Sequence, residues 1–295
     1  MNQSILDLLP YNAPTLTSLQ GWPISVLDLS KIHPLLNGNK YFKLMPYLQE
    51  AKENGINTLI TYGGAYSNHL RSFALACNHL GFYGIAVVRG DELDMASNER
   101  LASIDRMGVK LHFVSRNDYS NNKQLIAEVL GQNTQSPYLI IPEGGTSAKV
   151  LNSCAQIAQY ITHDTDYVML PVGSGGTLAG ILMGLSKRTS PPIVQAFGSF
   201  SNNTSPEATI NKLLQEQGID YPNWSIDLEY KFGGFGKAHQ AVSAFQEAIL
   251  AQNQLALDTV YNAKALLALT LKIQSGALPL DQNYVYINTG GMLQI

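Results

Sequence analysis

The sequence predicts an α/β fold built on parallel sheets. Short apolar runs alternate with longer amphipathic stretches along all 295 residues, and neither an internal repeat nor a low-complexity linker breaks the alternation. Strands buried on both faces read as continuous apolar runs, and the helices between them carry the chain back for the next parallel pairing. The expected strands are 58–61, 84–88, 109–114, 138–141, 167–170, 193–197 and 284–287. The expected helices are 41–54, 67–81, 95–107, 121–131, 147–163, 177–187, 206–217, 237–252 and 259–275. The first four strands and their helices would make one compact unit, and the strands from Tyr167 onward a second. A cleft between two such units is a usual place for a small-molecule site.

Bulk composition agrees with a folded, water-facing chain. Hydrophobic residues make up 45% and charged residues 14%, which excludes a disordered protein. The net charge is −3 with no basic stripe, which argues against nucleic-acid or membrane-surface partners. Cys77 and Cys154 both lie in apolar, helix-like stretches and read as buried free thiols. With no secretory leader and no apolar run near membrane-spanning length, the expectation is a cytoplasmic protein.

Four strand-end corners and one helix mouth carry the candidate chemistry. Residues 167–180 read YVMLPVGSGGTLAG: a buried strand, a glycine-rich turn and a helix start. Exposed backbone N–H groups and the positive end of a helix dipole make an anion cradle, typically for phosphate. The same pattern also fits a plain strand–helix junction. It is neither a P-loop nor a G-x-G-x-x-G turn. Residues 37–44, NGNKYFKL, put Lys40 at a helix mouth with Asn39 as a possible cap. A cation is disfavoured there, so Lys40 reads either as a solvated lysine or as a partly neutral, nucleophilic amine. Residues 61–70, TYGGAYSNHL, turn a strand end through Gly63 and Gly64 into Ser67, Asn68 and His69. Ser67 reads as a helix N-cap, in a place where α/β proteins also put ligand contacts. Residues 142–147 (PEGGTS) and 286–291 (YINTGG) repeat the arrangement after two further strands.

Taken together in this order, these segments resemble the pyridoxal-phosphate enzymes of the tryptophan synthase β-like fold (fold type II). Within them the chain is similar to the branch containing 1-aminocyclopropane-1-carboxylate (ACC) deaminase and D-cysteine desulfhydrase. Residues 258–261 (DTVY) belong to the same set of signatures. The resemblance implies two three-layer αβα domains with parallel sheets and a cofactor cleft between them. It implies a larger cofactor-binding domain, residues 1–44 plus 150–295, and a smaller one, residues 45–149. It implies pyridoxal 5'-phosphate as cofactor, a small amino acid as substrate, no metal, and a homodimer. Lys40 would carry the cofactor covalently and later move the substrate's α-proton. Asn68 would hydrogen-bond the cofactor's phenolic oxygen; Gly173, Ser174, Gly175, Gly176 and Thr177 would bind its phosphate; Thr289 would lie at its ring. Ser67, Asn68, His69, Gly144, Phe235 and Tyr261 would face the substrate, with Ser67 and Tyr261 also counted as catalytic.

Three departures decide between reactions. The family's deaminases carry Glu after the tyrosine, facing the pyridine nitrogen, where this chain has Asn262. They carry Leu where this chain has Thr289, and a second tyrosine where it has Phe235. A carboxylate at the ring nitrogen keeps it protonated and strengthens the electron sink; an amide or hydroxyl does not. Opening a cyclopropane that has no α-proton needs that help more than a β-elimination does. The expectation is therefore a D-cysteine desulfhydrase-like lyase releasing a 2-oxo acid, ammonia and sulfide. ACC deamination to 2-oxobutyrate and ammonia is the alternative. A protein that holds cofactor and amino acid without turnover is a further one, and a phosphate-binding α/β protein with an incidental Lys40 is the last.

Overall fold

The computed structural model describes residues 5–198, 205–234, 237 and 239–291. Ten strands are described: β1 (Thr15–Ser18), β2 (Ile24–Asp28), β3 (Thr58–Gly64), β4 (Tyr83–Arg89), β5 (Lys110–Val114), β6 (Tyr138–Ile141), β7 (Tyr167–Val172), β8 (Ile193–Gly198), β9 (Trp224–Asp227) and β10 (Tyr284–Asn288). The α-helices are α1 (Ile5–Leu8), α2 (Asn39–Glu53), α3 (Asn68–Leu80), α4 (Glu99–Arg106), α5 (Arg116–Gln132), α6 (Leu151–Ala155), α7 (Gly176–Leu185), α8 (Glu207–Glu216), α9 (Gln240–Asn253) and α10 (Asn262–Gln274). All seven expected strands are present, and β1, β2 and β9 were not foreseen. The helix expected over 147–163 is a short α6 flanked by 3-10 turns at Ala148–Val150 and Gln156–Tyr160. Among the described residues no helix is long and apolar enough to cross a membrane.

The chain divides into two compact units. One takes the described residues up to Tyr11, His33–Leu36 and Lys40–Lys149; the other takes Asn12–Ile32, Asn37–Asn39 and the described residues from Val150 onward. The first unit holds a four-stranded parallel sheet in the order β5-β4-β3-β6. Its core joins Ile60, Ile85 and Val87 of the strands to Tyr119 and Ala127 of α5. The chain leaves β3 for β4 and β5, then returns to place β6 on the other side of β3. The loops leaving β3 and β6 therefore diverge, and the crevice outside those two strand ends is where such sheets bind ligands.

The second unit holds a six-stranded sheet in the order β1-β2-β10-β7-β8-β9, parallel except for the β1–β2 pair. Its core sets Val26, Met169, Phe197 and Tyr286 of the strands against Leu266, Leu269 and Ile273 of α10. Full burial of each such side chain is worth about 1.5–3 kcal/mol. Here the reversal falls between β7 and β10. Their pairing ends at Tyr286↔Met169, whereas β7 stays paired with β8 as far as Val172. Pro171, which has no N–H to give, lies beyond that last β10 pairing, so the two strands part before their loops begin.

The start of α2 is fixed within the second unit by two glycines that cross. A Cβ on Gly38 would sit 2.1 Å from the Thr289 carbonyl oxygen, and one on Gly290 would sit 2.6 Å from the Gly38 Cα. Gly38 also has φ +66. Gly38 N–H donates to the Leu29 carbonyl (2.8 Å), Asn39 N–H to the Thr289 carbonyl (2.9 Å), and the Asn37 amide to the Gly291 carbonyl (3.1 Å). Gly218 has nearly the same φ, +65, with nothing within 4 Å of its would-be Cβ. Gly218→Ala should therefore cost only the left-handed penalty, about 1–2 kcal/mol. Gly38→Ala should cost several-fold more, because the colliding atoms are backbone. Denaturant unfolding of the two variants should separate them; equal losses would mean that the crossing can relax.

Candidate active site

Lys40 is the second residue of α2 and half-buried. The residue before it, Asn39, donates from its side-chain amide to Thr177 Oγ1 at 2.9 Å. The first turn of α2 is thus tied to the first turn of α7. This is a different use of Asn39 from the cap expected of it.

In the first unit, the loops after β3 and β6 converge on one buried histidine. Ser67 is the N-cap of α3, accepting from Leu70 N–H at 3.3 Å. Asn68 accepts from Arg100 Nη1 at 3.1 Å, and the same guanidinium donates to the Tyr66 carbonyl. His69 is buried, with Nε2 2.8 Å from Thr61 Oγ1. Thr61 gives its own proton to the Ile141 carbonyl (2.8 Å), so His69 must be the donor to Thr61. That assigns the proton to Nε2 and leaves a lone pair on Nδ1, which is buried and has no hydrogen-bond partner among the described residues. Burial pushes the imidazole well below its ordinary 6.5, and the Lys40 and Lys43 ammoniums push it the same way. A Cβ on Gly145 would lie 3.3 Å from Lys43 Cβ and 3.5 Å from His69 Cε1, so glycine lets the 142–147 loop close over both. Lys43, itself buried, donates to Thr146 Oγ1 at 2.8 Å.

In the second unit, Gly175, with φ 88, is the N-cap of α7 and has no side chain with which to cap it. A Cβ there would come 2.7 Å from Ile210 Cγ1, and one on Gly173 would come 3.3 Å from the Tyr261 ring. The turn is thus packed against Ile210 and the Tyr261 ring, where a side chain at Gly175 would collide. Beside it lies a buried polar cluster. Asp258 Oδ1 accepts from Val260 and Tyr261 N–H (3.0 and 2.8 Å), and Oδ2 from Asn262 N–H and side-chain amide (3.2 and 2.5 Å). The Asn262 amide also donates to the Gly290 carbonyl at 2.7 Å. Its oxygen accepts from Thr289 N–H (2.9 Å) and from the Thr289 and Tyr286 hydroxyls (3.3 Å each). Every donor and acceptor of Asn262 is thereby engaged, and Asp258 is held as the cap of α10.

A family model for pyridoxal-phosphate dependent enzymes matches residues 29–290. The chain belongs to that family. Pyridoxal phosphate is accordingly its cofactor, and the residues fit it: an uncapped helix start behind a glycine turn suits a phosphate, and the amine of Lys40 suits an aldehyde. Among relatives, a Pyrococcus horikoshii protein provisionally named as a 1-aminocyclopropane-1-carboxylate deaminase is 29% identical over 87% of this chain and 81% of its own. A mitochondrial Arabidopsis thaliana protein, named as a bifunctional D-cysteine desulfhydrase and 1-aminocyclopropane-1-carboxylate deaminase, is 26% identical over 88% of this chain and 69% of its own. The crystal structure of an ACC deaminase homologue matches with a TM-score of 0.78 at 24% identity, over 99% of this chain and 96% of that one. The fold is that of the fold type II pyridoxal-phosphate enzymes.

The sequence-derived residues thus fall into two sets. Lys40, Ser67, Asn68, His69 and Gly144 lie in the first unit, and Gly173, Ser174, Gly175, Gly176, Thr177, Tyr261 and Thr289 in the second. Phe235 lies outside the described residues. Asn262 is an internal strut with no hydrogen-bonding group left to face a ring nitrogen, so a direct contact of that kind is not available to it. Sequence reasoning gave no role to Lys43, or to Asp258 beyond its place in the 258–261 signature. The signal for Asp258 was a carboxylate one turn before an apolar helix; Lys43, three residues after another lysine, looks in sequence like a solvated face.

The state of His69 carries a pH dependence. Its native pKa is depressed, so in the unfolded chain it binds a proton that the native state refuses. Stability should therefore fall as pH drops below about 6.5. His33 is shifted in the same direction, by burial and by His79. The thermal midpoint of His69→Gln should lose less between about pH 7 and pH 5 than that of the parent. An unchanged slope would mean that His69 is protonated in the native state.

Proposed function

We propose that this chain is a lyase that eliminates the β-substituent of a small amino acid, with D-cysteine as the substrate class. D-Cysteine and water would become pyruvate, ammonia and hydrogen sulfide. When bound, pyridoxal phosphate supplies the electron sink that lets a bond at the substrate's α-carbon break. The chain's own residues supply the rest. Lys40 Nζ would hold the cofactor and then take the α-proton. The Gly173–Thr177 turn would hold the phosphate through backbone N–H groups, with Thr177 kept in place by Asn39. Thr289 would lie at the cofactor ring. Ser67 and Asn68, at the start of α3, would receive the substrate carboxylate and the phenolic oxygen. The lone pair on His69 Nδ1 would accept a donor from the substrate, which removes the cost of a buried unmatched acceptor, about 1–3 kcal/mol. Tyr261, Gly144 and Phe235 would line the substrate. The same reading takes the protein as a cytoplasmic homodimer.

One observation carries the preference for elimination. The position occupied by glutamate in the deaminases holds Asn262, and the carboxylate next to it, Asp258, is bound by three backbone N–H groups and an amide. Neither offers a free carboxylate that would keep a pyridine nitrogen protonated. A second reading, ACC deamination, is favoured by the names of the relatives, one of which combines both activities.

Product analysis of the cofactor-loaded protein with D-cysteine and ACC side by side tests the choice. Pyruvate with sulfide from D-cysteine, and no oxo acid from ACC, is expected. 2-Oxobutyrate from ACC at a comparable rate would show that the ring opens without that carboxylate and would overturn the electronic argument.

A further inference from the structure

Lys264 lies in α10 among Ala263, Ala265 and Leu266 and is 2% exposed. Among the described residues its ammonium forms no ion pair, although the Asp258 carboxylate acts on it through space. Nζ instead donates to four backbone carbonyls of one short segment: Gly234 at 2.7 Å, Phe232 at 3.2 Å, Lys237 at 3.3 Å and Lys231 at 3.5 Å. Three N–H bonds shared among four convergent carbonyls is the environment of a bound monovalent cation rather than of a salt bridge. The segment needs such support. Phe232, Gly233 and Gly234 have φ of 43°, 83° and 98° in succession, and a phenylalanine in the left-handed region is strained. Those turns aim carbonyls inward at one point, where their mutual repulsion requires a positive charge. Two helical turns further on, Lys272 pairs with Asp227 at 2.5 Å and lies over the Tyr230 ring at 5.9 Å. α10 thus holds both the segment itself and the chain that leads into it.

We propose that Lys264 is a built-in substitute for a monovalent cation: its ammonium sets the conformation of the carbonyl cup at Lys231–Gly234 and Lys237, making that conformation independent of added salt. In the proposed reaction Phe235, which follows Gly234 in sequence and lies outside the described residues, would face the substrate, and Lys264 would then be a positioning residue. That link to turnover rests on the function proposed above; the cup itself does not.

The test compares Lys264→Met with the parent holoenzyme. Both are exposed to trypsin, which cuts after Lys231 and Lys237, in choline chloride and in potassium or ammonium chloride at matched ionic strength. The parent should be cut slowly and equally in all three salts. The variant should be cut roughly tenfold faster in choline, as the local opening equilibrium shifts, and be slowed again by potassium or ammonium. Its KM should rise in choline and recover with the same ions while the cofactor's absorption stays unchanged. Cleavage at the parental rate, or faster cleavage that no small cation slows, overturns the proposal. If the variant fails to fold, acetylation of Lys264 in the parent serves instead. It should rise together with cleavage at Lys237 as urea is added, and acetylation that runs ahead of cleavage overturns the proposal. Cation-dependent cleavage without product from either amino acid would leave the cup standing and remove the reaction.

Discussion

The crossing of Gly38 and Gly290 is the contact on which the rest of the second unit's site depends. Neither position admits a side chain, because each would-be Cβ runs into the other strand's backbone. With the two backbones in contact, Asn39 reaches both the Thr289 carbonyl and the Thr177 hydroxyl, so the mouth of α2 is set against the mouth of α7. Lys40 follows Asn39 directly in sequence and is the second residue of α2. The arrangement explains why an amine sits where the helix dipole disfavours a cation: its location is set by the turn before it, not by helix preference.

A second constraint is topological. Each sheet reverses its strand order once, between β3 and β6 in one unit and between β7 and β10 in the other. In each case the two diverging loops are the ones that carry the candidate residues. Within the first unit the divergence is closed by His69, whose hydrogen bond through Thr61 to Ile141 joins the ends of β3 and β6. Within the second, Asn262 joins α10 to the loop after β10. Each of these buried side chains holds a loop at the end of a strand, and only the histidine keeps a lone pair unmatched.

Much of this was legible in the sequence. Seven strands announced themselves as apolar runs, and the glycine corners after several of them marked the loops that matter. β1, β2 and β9 did not. β1 is exposed along its length and β9 is half-exposed, so neither has an apolar run, and β2 follows a Trp-Pro turn that reads as loop. Ser67 was legible as a cap because a cap is a local motif. Asn262 was not legible as a strut, because its partners lie up to 28 residues away. Lys264 carried a signal that went unused: a charge set among the alanines and leucines of α10 must be satisfied by something, and here the backbone carbonyls of 231–237 accept its protons.

The central claim is that Lys40, and no other lysine, holds the cofactor. The most direct measurement is borohydride reduction of the cofactor-loaded protein, followed by peptide mapping by mass spectrometry. The account predicts a pyridoxyl phosphate adduct on Lys40. An adduct on Lys43 or Lys264, or no adduct on a protein that retains its cofactor, would contradict it.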